Sequence, residues 1–297
     1  MTMVHPKFIF SVFILFIMTA CGQDTDSDYL VTIKTDKGNM VAVLYDETPL
    51  HKENFLKLSK DGTYSGSLFH RVIPGFMIQG GDPTSKNAPA GTALGQGNPG
   101  YNIPAEFNPK FFHERGALSA ARLGDDRNPK KESNGSQFYI VQGTVWNDEG
   151  LNQFRIDQNK LMTGLRKMFE LAQFKPLVDS LNQLYMAGDM NKYMAALTAT
   201  APRVEKFTGE KIIRTIPAER EKIYKTVGGS PHLDGEYTVF GKVISGLDVI
   251  DKIASVSRDG LDRPVENIKM EITVEKVSRK KITADFGYKY PEAAVKK

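Results

Sequence analysis

Short strand-like runs recur along most of this chain and stop for one long helical stretch, and that interruption restricts the fold more than any single motif. Tyr29–Tyr45 alternates with the two-residue period of a strand: Leu30 and Thr32 to one side, Val31 and Ile33 to the other, then Met40, Ala42 and Leu44. Between its halves, Asp36-Lys37-Gly38-Asn39 supplies the positive φ of a tight turn, which predicts a hairpin. Thr48–Leu58 changes to a helical period, with Pro49 suited to the first turn and Leu50, Phe55 and Leu58 on one face. Extended runs return at Leu68–Ile73, Phe76–Gln79, Gly116–Ala121, Ser136–Gln142 and Tyr237–Ile244; Gly246–Ser255 reads as a helix and Ile268–Val277 as a last strand. Many strands with few helices predict a mainly β chain closed into an antiparallel barrel.

Residues 151–227 break the rhythm. Leu161, Leu165, Met168, Phe169 and Ala172 fall on one helical stripe; Leu177, Leu181, Leu184 and Tyr185 make a second, beyond Pro176. Met190, Tyr193, Met194 and Leu197 make a third, and Pro217 is placed to open a fourth helix. The barrel is therefore expected over 29–150 and 228–278, with an inserted α-helical region between them. Its Met and Leu stripes read as packing faces, with a binding groove as the alternative.

The N-terminus belongs to neither part. Phe8–Ala20 is an uncharged apolar run of 13 residues behind Lys7, shorter than the roughly 20 residues a spanning helix needs, and it has the form of a signal-peptide core. Met18-Thr19-Ala20-Cys21 places small residues before the one cysteine of the chain and resembles the lipobox of bacterial lipoproteins, in which that cysteine is acylated. Plain cleavage near Ala20 is the other reading. The first predicts a signal over 1–20, an acidic tether over 21–28, and a protein held on a membrane of the bacterial cell envelope through lipid on Cys21. Loss of residues 1–20 removes only Lys7, so the formal charge falls from +4 to +3, too little to point to nucleic acid. The basic segment 279–297 reads as a solvated tail, with docking on the insertion as the alternative.

Phe69-His70-Arg71-Val72-Ile73-Pro74-Gly75-Phe76-Met77-Ile78-Gln79-Gly80-Gly81-Asp82 carries most of the functional information. With Gly116–Ala121, Ser133–Ile140 and Leu233–Val243, in that order, it resembles the cyclophilin-type peptidyl-prolyl isomerases over Leu30–Gly150 and Ser230–Val277. The resemblance implies an eight-stranded antiparallel barrel capped by two helices, with a substrate groove on its outside. It implies that Arg71 donates to the proline nitrogen and that Gln79 orients it. Phe76, Met77, Tyr139 and Leu233 would wall the proline pocket, with Ala121, Gln137 and Tyr237 as further substrate-binding positions. The substrates would be proline-containing segments of unfolded or extended exported proteins, and no cofactor or metal is implied. Tyr139 stands where many relatives have phenylalanine, Tyr237 replaces a histidine of eukaryotic members, and His232 replaces their tryptophan. That last change should weaken binding of the family's cyclic-peptide inhibitor, cyclosporin. The sequence leaves open whether its one tryptophan, Trp146, returns to the groove. The alternative function is a membrane-anchored peptide-binding or chaperone module with incidental isomerase activity.

Other signals fall away. Gly95-Gln-Gly97-Asn-Pro-Gly100 fits a dinucleotide fingerprint in letters, but Pro99 and its surroundings describe a loop. Histidines 51, 70, 113 and 232 lack metal-ligand spacing, and His70 reads as a structural hydrogen-bonder beside Arg71. Nothing bears on oligomeric state.

Overall fold

The computed structural model describes residues 26–290; the expected signal over 1–20, the expected acylation position Cys21 and most of the expected tether lie outside them. Strands β1 (Ser27–Thr35) and β2 (Gly38–Leu44) form the expected hairpin, with Thr35 opposite Gly38 and Gly38 at φ +131°. Asp28, the last residue of the predicted tether, is already in β1 opposite Val277. Helix α1 (Pro49–Lys60) buries Phe55 and Leu58 as predicted, but Leu50 is 46% exposed and points to solvent; His51 takes the inward place one residue on.

Strands β3 (Ser67–Leu68), β4 (Arg71–Ile73), β5 (Met77–Gly80), β6 (Asn102–Ile103), β7 (Ala117–Ala120), β8 (Ser133–Asn134) and β9 (Phe138–Val141) follow. After the helical region come β10 (Val239–Ser245), helix α8 in this region (Leu247–Ala254) and β11 (Lys269–Ser278). The main sheet has nine strands in the order β3-β11-β1-β2-β10-β7-β9-β5-β4, and β6 pairs with β8 apart from it. This corrects the expectation of a closed eight-stranded barrel. The sheet curls antiparallel, but no ladder joins its end strands β3 and β4. Those strands are consecutive in the chain, and Phe69-His70 crosses between them: the Phe69 N–H donates to Ile268 O (3.0 Å) and the His70 N–H to Gln79 O (3.0 Å). A chain turning from one partner to the other there cannot pair with itself.

Inside the curl, Val31, Ile33, Val72, Ile78, Leu118, Phe138 and Ile140 pack with Phe55 of α1 and Ile250 and Ile253 of the α-helix at 247–254. The Phe138 ring stands edge-on to Phe55 and Tyr64 at 5.3 and 5.5 Å, a geometry that adds to the area each ring buries.

Among the described residues there are seven further α-helices. In the interruption these are α2 (Asp148–Asn152), α3 (Gln158–Phe169), α4 (Lys175–Met186), α5 (Met190–Ala199), α6 (Ala201–Thr208) and α7 (Ala218–Thr226). Leu161, Leu165, Met168, Leu181, Leu197 and Val204 make a core of their own for α3–α6, so the packing reading of those stripes holds for them, while Phe169 and Met194 remain exposed. The chain enters and leaves this bundle side by side: Ile156 bridges Ile213, the Asp157 N–H donates to Ile212 O (2.9 Å), and the Arg214 N–H donates to Arg155 O (2.7 Å). Last, α9 (Arg279–Phe286) corrects the reading of a solvated tail. Its Ile282 is buried against Val43 and Val277, with Phe286, Tyr288 and Tyr290 packed around them, so residues 279–290 lie on the sheet and not on the insertion. Among the described residues no helix is long and apolar enough to cross a membrane.

Candidate active site

Alternation along three neighbouring strands builds the site. Val72, Ile78, Phe138, Ile140 and Leu118 point into the core, so their neighbours Arg71, Met77, Gln79 and Tyr139 come out on the other face. Arg71 is opposite Gln79, and Gln79 is opposite Tyr139. Above them, Phe76 precedes β5, Ala121 follows β7, and a tight 3-10 turn at Pro231–Leu233 brings Leu233 and then Tyr237 over the sheet. Together with Arg122 these residues enclose a cavity of about 270 Å³. Its floor is apolar, with Met77, Tyr139 and Leu233 in one cluster with Phe76 and Tyr237 at its edge.

Arg71 is half-buried at the rim, and its guanidinium makes no hydrogen bond or ion pair among the described residues. Gln79 is held: its Nε2 donates to Gln137 Oε1 at 3.0 Å. Gln137 is 3% exposed and lies behind the cavity, not on its wall, which corrects its expected place. Its Nε2 donates to the carbonyls of Gly95 (3.0 Å) and Gly97 (2.7 Å). Those glycines explain the spurious fingerprint: their N–H groups donate to Asp82 Oδ2 at 2.6 and 3.2 Å. A Cβ on Gly97 would lie 1.9 Å from Asp82 Oδ1, so only glycine fits. Burial by itself would raise the Asp82 carboxyl, but hydrogen bonds from Thr84, Gly95 and Gly97 outweigh it and hold it below the usual range.

Ala121 contributes wall but little main chain. Its N–H donates to Gln137 O (3.0 Å) and its carbonyl accepts from the Asn134 N–H (2.8 Å). The next residue, Arg122, has main-chain groups without such partners among the described residues, and its guanidinium lies 4.4 Å from the centre of the Tyr237 ring. Arg122 was not anticipated, although it directly follows the Gly116–Ala121 block.

A second unanticipated group sits under the floor. The Tyr139 hydroxyl meets His113 Nε2 at 2.9 Å, and His113 Nδ1 meets Asp234 Oδ1 at 3.0 Å. Burial pushes His113 below the ordinary histidine value, so the ring is neutral: Nδ1–H donates to the carboxylate and Nε2 accepts from the tyrosine. Asp234 Oδ1 also accepts from the His113 N–H (2.9 Å), and Oδ2 accepts from Tyr224 Oη (2.8 Å) and Arg220 Nη1 (3.1 Å) of α7. Burial would raise this carboxyl, but these donors prevail and lower it. The last helix of the insertion is thus tied to the residue next to Leu233.

His70 is buried; its ring nitrogens fall short of full hydrogen-bond geometry, with the Leu68 main chain and the Gln137 side chain beside them, in keeping with a structural place next to Arg71. Trp146 does not reach the cavity. Its Nε1 donates to Gly229 O (2.9 Å), and its ring stands edge-on to Phe154, which neighbours His232, which neighbours Phe76. Among the described residues no cluster of His, Cys, Asp or Glu has the makings of a metal site.

The family model for cyclophilin type peptidyl-prolyl cis-trans isomerases matches residues 30–159 and 222–275. A putative bifunctional phosphatase/peptidyl-prolyl cis-trans isomerase of Streptococcus pyogenes is 32% identical over 82% of this chain, which spans 38% of that longer protein. A putative peptidyl-prolyl cis-trans isomerase of Staphylococcus epidermidis is 32% identical over 83% of this chain and 91% of its own length. Among solved structures, a cyclophilin type isomerase of Cryptosporidium parvum is 21% identical, covering 84% of this chain and 98% of that one, at a TM-score of 0.47. The two matched segments, which leave out most of the helical region, place this chain in the cyclophilin-type peptidyl-prolyl cis-trans isomerase family.

Proposed function

We propose that this chain speeds rotation about X-Pro bonds by aiming Arg71 at the proline nitrogen while the ring sits in the cavity lined by Phe76, Met77, Tyr139 and Leu233. The observation that carries this reading is the Arg71 guanidinium: a permanent charge at the rim of an apolar cavity, with no acceptor of its own. Rotation about a peptide bond is opposed by about 18–20 kcal/mol because the nitrogen lone pair is shared with the carbonyl. Twisting the bond localises that lone pair, so a donor placed there binds the twisted form more than either planar isomer and lowers the barrier. The planar fork of arginine suits this better than the ammonium of lysine. Gln79, fixed by Gln137 and opposite Arg71 on the neighbouring strand, is placed to orient the guanidinium when substrate binds, and an apolar floor withdraws the amide from water. Main-chain pairing with the substrate falls to Arg122. No bond breaks, so the reaction calls for neither nucleophile nor metal.

In a protease-coupled assay on a proline peptide, Arg71→Ala is expected to lower kcat/KM by about 100-fold, the scale of losing one transition-state donor. Unchanged turnover would overturn the mechanism. The substrates proposed are proline-containing stretches of unfolded exported proteins; export and attachment through lipid on Cys21 rest on the N-terminal sequence.

The bundle α3–α6 supports a second role. Met186 is 83% exposed, with Tyr185, Met190 and Met194 exposed beside it, an adaptable apolar surface of the kind that holds unfolded clients. Loss of aggregation suppression with retained peptide turnover, after removal of the bundle, would assign that role to it; equal suppression would remove the idea.

A further inference from the structure

A second cavity, also of about 270 Å³, adjoins the proline cavity and shares Arg71, Gln79 and Arg122 with it. Its charges are one-sided. Arg71, Arg122, Arg127 and Arg263 line it, against the single carboxylate of Asp259. That carboxylate is already engaged, accepting from the N–H groups of Leu261 (2.8 Å) and Arg263 (3.0 Å). Arg122 is neutralised by Asp125 at 2.6 Å and Glu236 at 3.5 Å. The other three guanidinium groups have no carboxylate within ion-pair distance among the described residues. Arg127 and Arg71 make no side-chain hydrogen bond there at all. Arg263, only 4% exposed, is held by neutral oxygens: the carbonyls of Thr92 and Ala88 and, at 2.7 Å, Asn267 Oδ1.

Removing a guanidinium from water without an anion is unfavourable; Arg263 is so placed, Arg71 is half-buried and Arg127 exposed, and the wall they share gains from a ligand that brings an anion. His70, 3% exposed, lies on the same wall, its ring nitrogens short of full hydrogen-bond geometry with the Leu68 main chain and the Gln137 side chain as the polar groups beside them.

We infer that this second cavity is a side-chain subsite selecting a carboxylate, so that X-Pro segments carrying aspartate or glutamate close to the proline are the preferred substrates. The inference rests on the isomerase reading above. A chain whose proline occupies the first cavity passes Arg71 and Gln79, and a neighbouring side chain then enters the second. There a carboxylate would meet the unpaired guanidinium groups of Arg71 and Arg127, with the buried charge of Arg263 behind them.

The test uses the mature protein and proline peptides that differ at one position, on either side of the proline, in carrying glutamate, alanine or lysine, with isomerisation followed by NMR exchange. The glutamate peptide should exceed the lysine peptide in kcat/KM by about tenfold at low salt, and added salt should shrink the gap. Arg127→Gln, at an exposed position, should cut that ratio about threefold. Turnover that is equal for all three peptides on both sides would overturn the subsite while leaving the isomerase intact; no turnover of any peptide would overturn both. A preference that survives Arg127→Gln unchanged would overturn its placement here. Inorganic phosphate separates a free anion from a substrate side chain: phosphate inhibition of the alanine peptide without any advantage for glutamate would show an anion site and sink the inference.

Discussion

Replacing Asp234 by alanine removes, in one step, the acceptor for four donors: the His113 N–H, His113 Nδ1–H, Tyr224 Oη–H and Arg220 Nη1–H. Hydrogen bonds to a charged group contribute about 1.5–3 kcal/mol each, but they share one carboxylate and do not add. Breaking a buried ion pair from one side costs about 3–5 kcal/mol. That range applies here because the Asp234 side chain is only 16% exposed and Arg220 only 17%. At about 2–4 °C per kcal/mol for a domain of this size, Tm should fall by roughly 6–20 °C. Activity should fall through KM more than through kcat. Leu233 and Tyr139 would loosen, since one is the adjacent residue and the other hangs on His113, whereas Arg71 makes no contact with the network and Gln79 is held by Gln137. Scanning fluorimetry and peptide kinetics on the same preparation measure both effects. A variant melting within about 2 °C of the parent, with KM unchanged, would show that the network does not support the pocket.

Three further outcomes are expected. Replacing 158–211 by a short turn should keep peptide turnover within about twofold, because the entering and leaving strands already meet there; removing all of 151–227 should abolish soluble protein, because Arg220 and Tyr224 go with it. Gly97→Ala should destabilise by about 2 kcal/mol or more and lower kcat, since a Cβ would displace Asp82 and with it the loop carbonyls that hold Gln137; near-parental melting would refute this. Finally, burial lowers the native values of His51, His70, His113 and His232 below the ordinary 6.5. The unfolded chain then binds more protons as pH falls through 6.5, so stability should drop from pH 7 toward pH 5. A flat melting curve across that window would contradict the buried neutral histidines.

The residues of the proline cavity were legible because they lie in contiguous motif blocks whose strand period puts Arg71, Met77, Gln79 and Tyr139 on one face. What the blocks did not reveal depends on contacts between distant segments. Gln137 looked like a groove residue because it sits in a block, yet its neighbour in space is a glycine loop some forty positions earlier. His113 and Asp234 carry no spacing signal, being 121 positions apart. The tail looked solvated for its lysines, but Ile282, Phe286, Tyr288 and Tyr290 supply an apolar side that composition alone concealed. Barrel closure failed as an expectation because two-residue strands such as β3 are decided by a few main-chain bonds, not by periodicity.

The joint at Ile156 and Ile213 gives the bundle α3–α6 the anatomy of a graft. Both severed ends of the host chain emerge at one rung, so the catalytic body need not know what is spliced between them. Any compact module with neighbouring termini could be exchanged at that junction, provided α7 is left to the host. The isomerase body would then stay constant while only its passenger changed.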